Sequence, residues 1–154
     1  MGREDAENNE VTSIHAGGWV FYIGEDAASL GDKCGKWMYF FNDRSFAEKI
    51  CRQAVEQGVV AESKHSDADN GVCCFYINGD DVAAHQRLIQ FFLDNDLIRK
   101  KKDGGLYNIS FKFDTQTRAG EYGEEFDSHI KLDQFVDLNT GKMLEHPTFQ
   151  PEDL

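Results

Sequence analysis

Residues 35–45, GKWMYFFNDRS, and residues 71–81, GVCCFYINGDD, share one plan. Each opens on a glycine, runs through an aromatic-rich segment of strand length, and closes on an asparagine in a Gly-x6-Asn frame. Each then reaches a helix-capping residue three positions later, at Ser45 and at Asp81. The offset between them is 36 residues, a weak internal repeat. In Lys36–Phe41 neither register is polar past Lys36, so that strand reads as buried on two faces, and Val72–Ile77 reads as a further strand.

The segments between and after them complete the pattern. Phe46, Ile50 and Ala54, with Cys51 and Val55, form an i, i+4 apolar stripe. Ser45 followed by Glu48 has capping-box spacing, and Gly58 suits the left-handed position that ends a helix. Val59–Lys64 reads as a short strand. After Asp80 or Asp81 as cap, Val82, His85, Leu88, Ile89, Phe92, Leu93 and Leu97 make a second apolar helix face. Leu106–Asp114 alternates: Tyr107, Ile109, Phe111 and Phe113 point one way, and Asn108, Ser110, Lys112 and Asp114 the other. The order β-α-β-β-α-β predicts an α+β fold: a curved, mostly antiparallel sheet with two main helices on one face. Trp19–Ile23 would extend the sheet, and Lys131–Leu138 reads as a last strand or short helix. This gives residues 1–15 as a flexible acidic lead-in, 16–140 as a single domain and 141–154 as a loose tail.

Composition bounds the function. The chain has 154 residues, 40% hydrophobic and 12% aromatic, enough for a sizeable core in one domain. No run approaches the roughly 18 apolar residues that span a bilayer. The polar N-terminus MGREDAENNE is the reverse of a secretory signal, so a cytoplasmic protein away from membranes is expected. Net charge is −12, but residues 33–120 carry only +1, while 1–32 carry −6 and 121–154 carry −7. An acidic chain disfavours duplex DNA, which needs clustered cations. The acidic flanks fit simple solubility, or a surface that imitates a nucleic-acid backbone and blocks a basic protein partner. A phage-encoded anti-defence inhibitor, such as an anti-CRISPR protein, is the second function class on this ground.

Chemistry-bearing motifs are few. The four cysteines, Cys34, Cys51, Cys73 and Cys74, form no CxxC pair, and no histidine stands at zinc-finger spacing. They read as reduced thiols, and no metal or cofactor is expected. No GxSxG, HExxH, P-loop or GxGxxG element occurs. Lys36, Lys64, Lys112 and Arg118 fall at strand edges or ends. If the strands are neighbours, these cations converge and bind phosphate through charge-assisted hydrogen bonds; otherwise they are separate solvated charges. Trp19 and Trp37 lie in apolar strands, as core residues or as stacking platforms for a base. His85 sits on an apolar helix face and reads as a satisfied core histidine, whereas His65, beside a polar turn, is the better proton-transfer candidate.

The order GKWMYFF (35–41), ESK (62–64), GVCCFYINGDD (71–81) and YNISFKFDTQTRAGEYG (107–123) resembles the basophilic-leukaemia-expressed protein family. Bacterial members of that family carry a phosphothreonine lyase label. The resemblance rests on Lys36, Trp37, Lys64, Cys74, Tyr76, Lys112, Asp114, Thr117, Ala119, Gly120 and Tyr122. It implies a fold like the cap-binding translation initiation factor. It implies an anion site at Lys36, Lys64, Lys112 and Arg118, and with Trp37, Asp114, Thr117 and Tyr122 these are the candidate ligand-binding residues for a nucleotide, an RNA end or a phosphopeptide. A lyase of this kind needs a lysine base and an acid, commonly histidine, to protonate the leaving oxygen. Lys112 and His65 are the candidates for those roles.

Overall fold

A computed structural model describes residues 9–114 and 130–153 of the chain. Two helices pack on one face of a six-stranded antiparallel sheet. The strands are β1 (Val11–Ala16), β2 (Trp19–Gly24), β3 (Cys34–Phe41), β4 (Glu62–Ser66), β5 (Gly71–Asn78) and β6 (Lys112–Phe113). Among the described residues the two long helices are α1 (Arg44–Glu56) and α2 (Val82–Asp94). In space the strands run β1-β2-β4-β5-β3-β6, and every pairing is antiparallel. From β3 to β6 the chain is the expected β-α-β-β-α-β unit, and β1–β2 extend it beyond β4.

Register explains why the helices share a face. Tyr22, Ser63, Phe75 and Trp37 are cross-strand partners in one row, so their side chains point the same way. Ser63 Oγ donates to the Cys51 carbonyl of α1 at 2.7 Å. In the same row, Phe75 meets Phe91 and Phe92 of α2, and Trp37 meets His85. The core lies between this row and its neighbours and the two helices.

Local chemistry moves several boundaries. The cap of α1 is Asp43, whose carboxylate accepts from the Phe46 N–H, rather than Ser45. Glu48 is drawn instead into an i, i+4 pair with Arg44. Asp81 caps α2, accepting from the Ala84 N–H. Val59 and Val60 are not strand: both N–H groups donate to the Ala54 carbonyl, closing the end of α1 after Gly58 turns left-handed. The strand therefore starts at Glu62 and runs on to Ser66.

Three expectations fail more broadly. Residues 11–15 are not a loose lead-in. Gly17 and Gly18, at φ 60° and 85°, make a two-residue turn that folds Val11–Ala16 back onto β2. Nor is the C-terminal segment loose, since Phe149 is buried against His85 and Phe135, and the Thr148 N–H donates to the Gln134 carbonyl. Leu106–Asp114 is not one continuous strand of the main sheet; only Lys112 and Phe113 pair with β3, opposite Lys36 and Gly35. Gly35 permits this approach, because a Cβ there would collide with the Lys112 carbonyl and the Phe111 ring. Upstream the backbone takes other partners: Leu106 N–H donates to Leu138, Tyr107 to Arg99 and Phe111 to Ile130. Lys131–Leu138 holds a 3-10 turn at Leu132–Gln134, then β7 (Val136–Asp137), which pairs with β8 (Lys142–Met143). No helix among the described residues is long and apolar enough to cross a membrane.

Candidate functional site

Strand alternation sorts the expected site residues between two faces. On the face turned from the helices, Ile23, Glu62, Tyr76, Lys36 and Lys112 are successive cross-strand partners. The adjoining row is Ile14, Phe21, Lys64, Cys74 and Met38. Lys36, Lys64 and Lys112 therefore occupy one face within two neighbouring rows.

Tyr76 is the centre of this patch. Lys36 Nζ lies 5.7 Å from its ring centroid and Lys64 Nζ 5.9 Å. Lys64 Nζ also stands 3.9 Å from the Trp19 ring centroid and 5.4 Å from that of Phe21. Asp114 accepts from Lys36 Nζ at 3.2 Å through one oxygen and from Cys34 Sγ at 3.7 Å through the other. Lys36, Tyr76 and Cys74 are buried and form the floor, while Lys64, Lys112 and Trp19 are partly exposed and form the rim.

The electrostatics follow from crowding. Burial lowers the Lys64 pKa, and nearby Lys36 lowers it further, against Cys74, Asp114 and Glu62. Burial, then Lys36, lowers that of Lys112. Burial raises the Glu62 carboxyl and pushes the Cys74 thiol up to about 11. Lys36 and Lys112 are direct cross-strand partners, an arrangement in which like charges repel.

Two residues expected in the site lie on the other face. Trp37 has no exposed surface; its indole N–H donates to His85 Nδ1 at 3.0 Å. His85 Nε2 is 2.8 Å from the Gly79 carbonyl, which can only accept, so the ring is the neutral Nε2–H tautomer. Burial depresses its pKa to about 4. His65 is equally buried and is fixed in the same manner. Its Nδ1–H donates to the Ser66 carbonyl at 2.8 Å, and its Nε2 accepts the Tyr22 hydroxyl at 3.0 Å. Both histidines are core residues satisfied by an aromatic donor and a backbone carbonyl. Lys112 and His65 stand on opposite faces of the sheet and cannot act on one substrate as base and acid.

Thr117, Arg118 and Tyr122 lie outside the described residues. Trp19, weighed from the sequence as core or stacking platform, is at the rim of the patch, and the residues missed from the sequence are Phe21 and Glu62. The signal was parity, since Trp19 and Phe21 share a face and their partners in β4 are Ser66 and Lys64. Among the described residues no group of three or more His, Cys, Asp or Glu is arranged to hold a metal ion. A scan of the chain against models of known protein families finds no match, and a search of curated proteins finds none either.

Proposed function

We propose that the charged face of the sheet binds a phosphorylated ligand. The observation that carries this reading is the placement of Lys36, Lys64 and Lys112 in two adjacent rows of one face, around Tyr76. A phosphate between them would relieve the repulsion across the Lys36–Lys112 pair and take charge-assisted hydrogen bonds from the rim. Lysines are point donors without the fork geometry of arginine, which suits a terminal phosphate approached from several directions. Trp19, Phe21 and Ile14 continue the face and offer apolar surface to the rest of the ligand. Asp114 and Glu62 keep the patch only weakly cationic, so selectivity comes from position more than from bulk charge. With Lys112 and His65 on opposite faces, the reading is one of binding.

Calorimetry and thermal unfolding with inorganic phosphate, nucleotides, cap analogues and phosphopeptides test it. A ligand at a hundredfold excess over its Kd should stabilise the fold by about 2.7 kcal/mol. Lys64→Ala and Lys112→Ala should each remove most of that gain. The reading fails if none of the probes binds, or if the double variant binds as the natural chain does. Binding to a basic protein partner in place of every anion would put the acidic-flank inhibitor reading in its stead.

A further inference from the structure

The edge of β3 is paired over only part of its length. Gly35 and Lys36 face β6, but no strand among the described residues pairs with Met38–Phe41 on that side. The chain that supplies β6 has swung away at this level, bridging Ser110 to Lys131 instead. Between the two lies a groove of about 1030 Å³, with Met38–Asn42 as one wall and Tyr107–Ser110 as the other.

The lining of the groove has two unusual properties. Of three large apolar side chains that are notably exposed among the described residues, two are here: Phe40 at 66% and Tyr107 at 46%. Among the described residues its charged lining is mainly cationic, with Arg99, Lys100 and Lys112 beside Asp96. That sign is the reverse of the chain's net charge of −12. At physiological salt, charges beyond about 8 Å are screened, so an approaching segment feels the charges that line the groove more than the net charge of the chain.

We propose that the Met38–Phe41 edge is a strand-addition site for an extended, acidic segment of a partner protein. A row of backbone N–H and C=O groups at a sheet edge is a template for another strand. Four residues of edge offer roughly 13 Å of ladder. Main-chain bonds to β3 hold the segment, alternate apolar side chains rest on Phe40 and Tyr107, and carboxylates on the intervening positions meet Arg99 and Lys100. A second copy of the chain is the alternative occupant, and the test below separates the two. This site adjoins the phosphate patch at Lys112 but does not depend on it.

Selection of short randomised peptides on the natural chain, with Phe40→Glu as the counter-target, tests the proposal. Phe40 is so exposed that its replacement spares the core, and unfolding curves check this. Enriched sequences should alternate acidic and apolar residues. Arg99→Glu with Lys100→Glu should weaken the best peptide by at least about tenfold, and so should N-methylation of its alternate backbone nitrogens. No enrichment over the counter-target, enrichment of basic sequences, or indifference to N-methylation each overturns it. So does self-association of the chain that Phe40→Glu disperses. Lys64→Ala should leave peptide binding unchanged, which separates failure here from failure of the phosphate site.

Discussion

The two faces of this sheet are built from the same strands, one residue out of step. Trp37, His65 and Cys73 face the helices, and their chain neighbours Lys36, Lys64 and Cys74 face away. On the helix face the buried polar side chains among the described residues are matched by hydrogen bonds: Trp37 to His85 to Gly79, Tyr22 to His65 to Ser66, and Ser63 to Cys51. On the other face, charges of one sign are set side by side, with Asp114 bonded to Lys36. The first arrangement minimises the cost of burial, because an unmatched polar group there loses its hydration with no return. The second holds partly desolvated cations close together, which is destabilising alone and favourable to an anion. On the proposed function, stability and recognition are divided between alternate positions of the same strands.

The comparison breaks most sharply at Trp37. Trp37→Ala should cost about 3–5 kcal/mol in denaturant unfolding, with phosphate affinity of the folded fraction unchanged. If affinity falls while stability holds, the division of labour between faces is wrong.

Acid should reveal the helix face next. The His85 pKa falls from its ordinary 6.5 to about 4 on folding, through burial that Gly79, Asp81 and Asp80 only partly offset. Between those values the unfolded chain binds the extra proton, so stability is fully present above about pH 6.5 and falls as the pH drops toward 4. The loss from this group is about 3 kcal/mol. His85→Leu should remove that component of the pH slope in unfolding measured from pH 7 downward, while lowering stability at neutral pH, since Trp37 and Gly79 lose their partner.

A smaller effect is expected at Tyr22→Phe. This deletes the hydroxyl that His65 Nε2 accepts and leaves a buried acceptor unsatisfied, at about 1–3 kcal/mol. An unchanged midpoint would mean that His65 has another donor to hand.

The smallest effect on stability belongs to the charged face. Lys64→Met keeps the apolar stem over Trp19 and removes only the ammonium. Unfolding should shift by less than about 1 kcal/mol, while phosphate affinity drops at least about tenfold. A large loss of stability would make Lys64 a structural residue instead.

Much of the fold was legible in the chain. The twin Gly-x6-Asn frames located β3 and β5, and apolar stripes located α1 and α2 with Asp81 as cap. What escaped carries no apolar periodicity. Val11–Ala16 is exposed at nearly every position and is a strand because Gly17–Gly18 turns it onto β2. Phe149 is one aromatic in a polar tail, and only the three-dimensional proximity of His85 and Phe135 makes it core. In Leu106–Asp114 the alternation was real, but alternation does not name a partner, and hydrogen bonds to Arg99, Ile130 and Leu138 drew most of it from the sheet.

For the candidate site, the sequence itself carries one constraint. Side chains of adjacent strand residues leave on opposite faces. Lys36 with Trp37, and likewise Lys64 with His65, could never share a pocket. Sequence alone therefore determined that in β3, β4 and β6 each lysine and its chain neighbour fall in opposite registers, because that alternation is local and has period two. Only the tertiary structure decided that the charged registers of β3, β4 and β6 coincide on one face. It also decided that, among the described residues, β3 has no strand partner on that side beyond Lys36. Both depend on which strands pair and in what register, and pairing is fixed by packing between residues far apart in the chain.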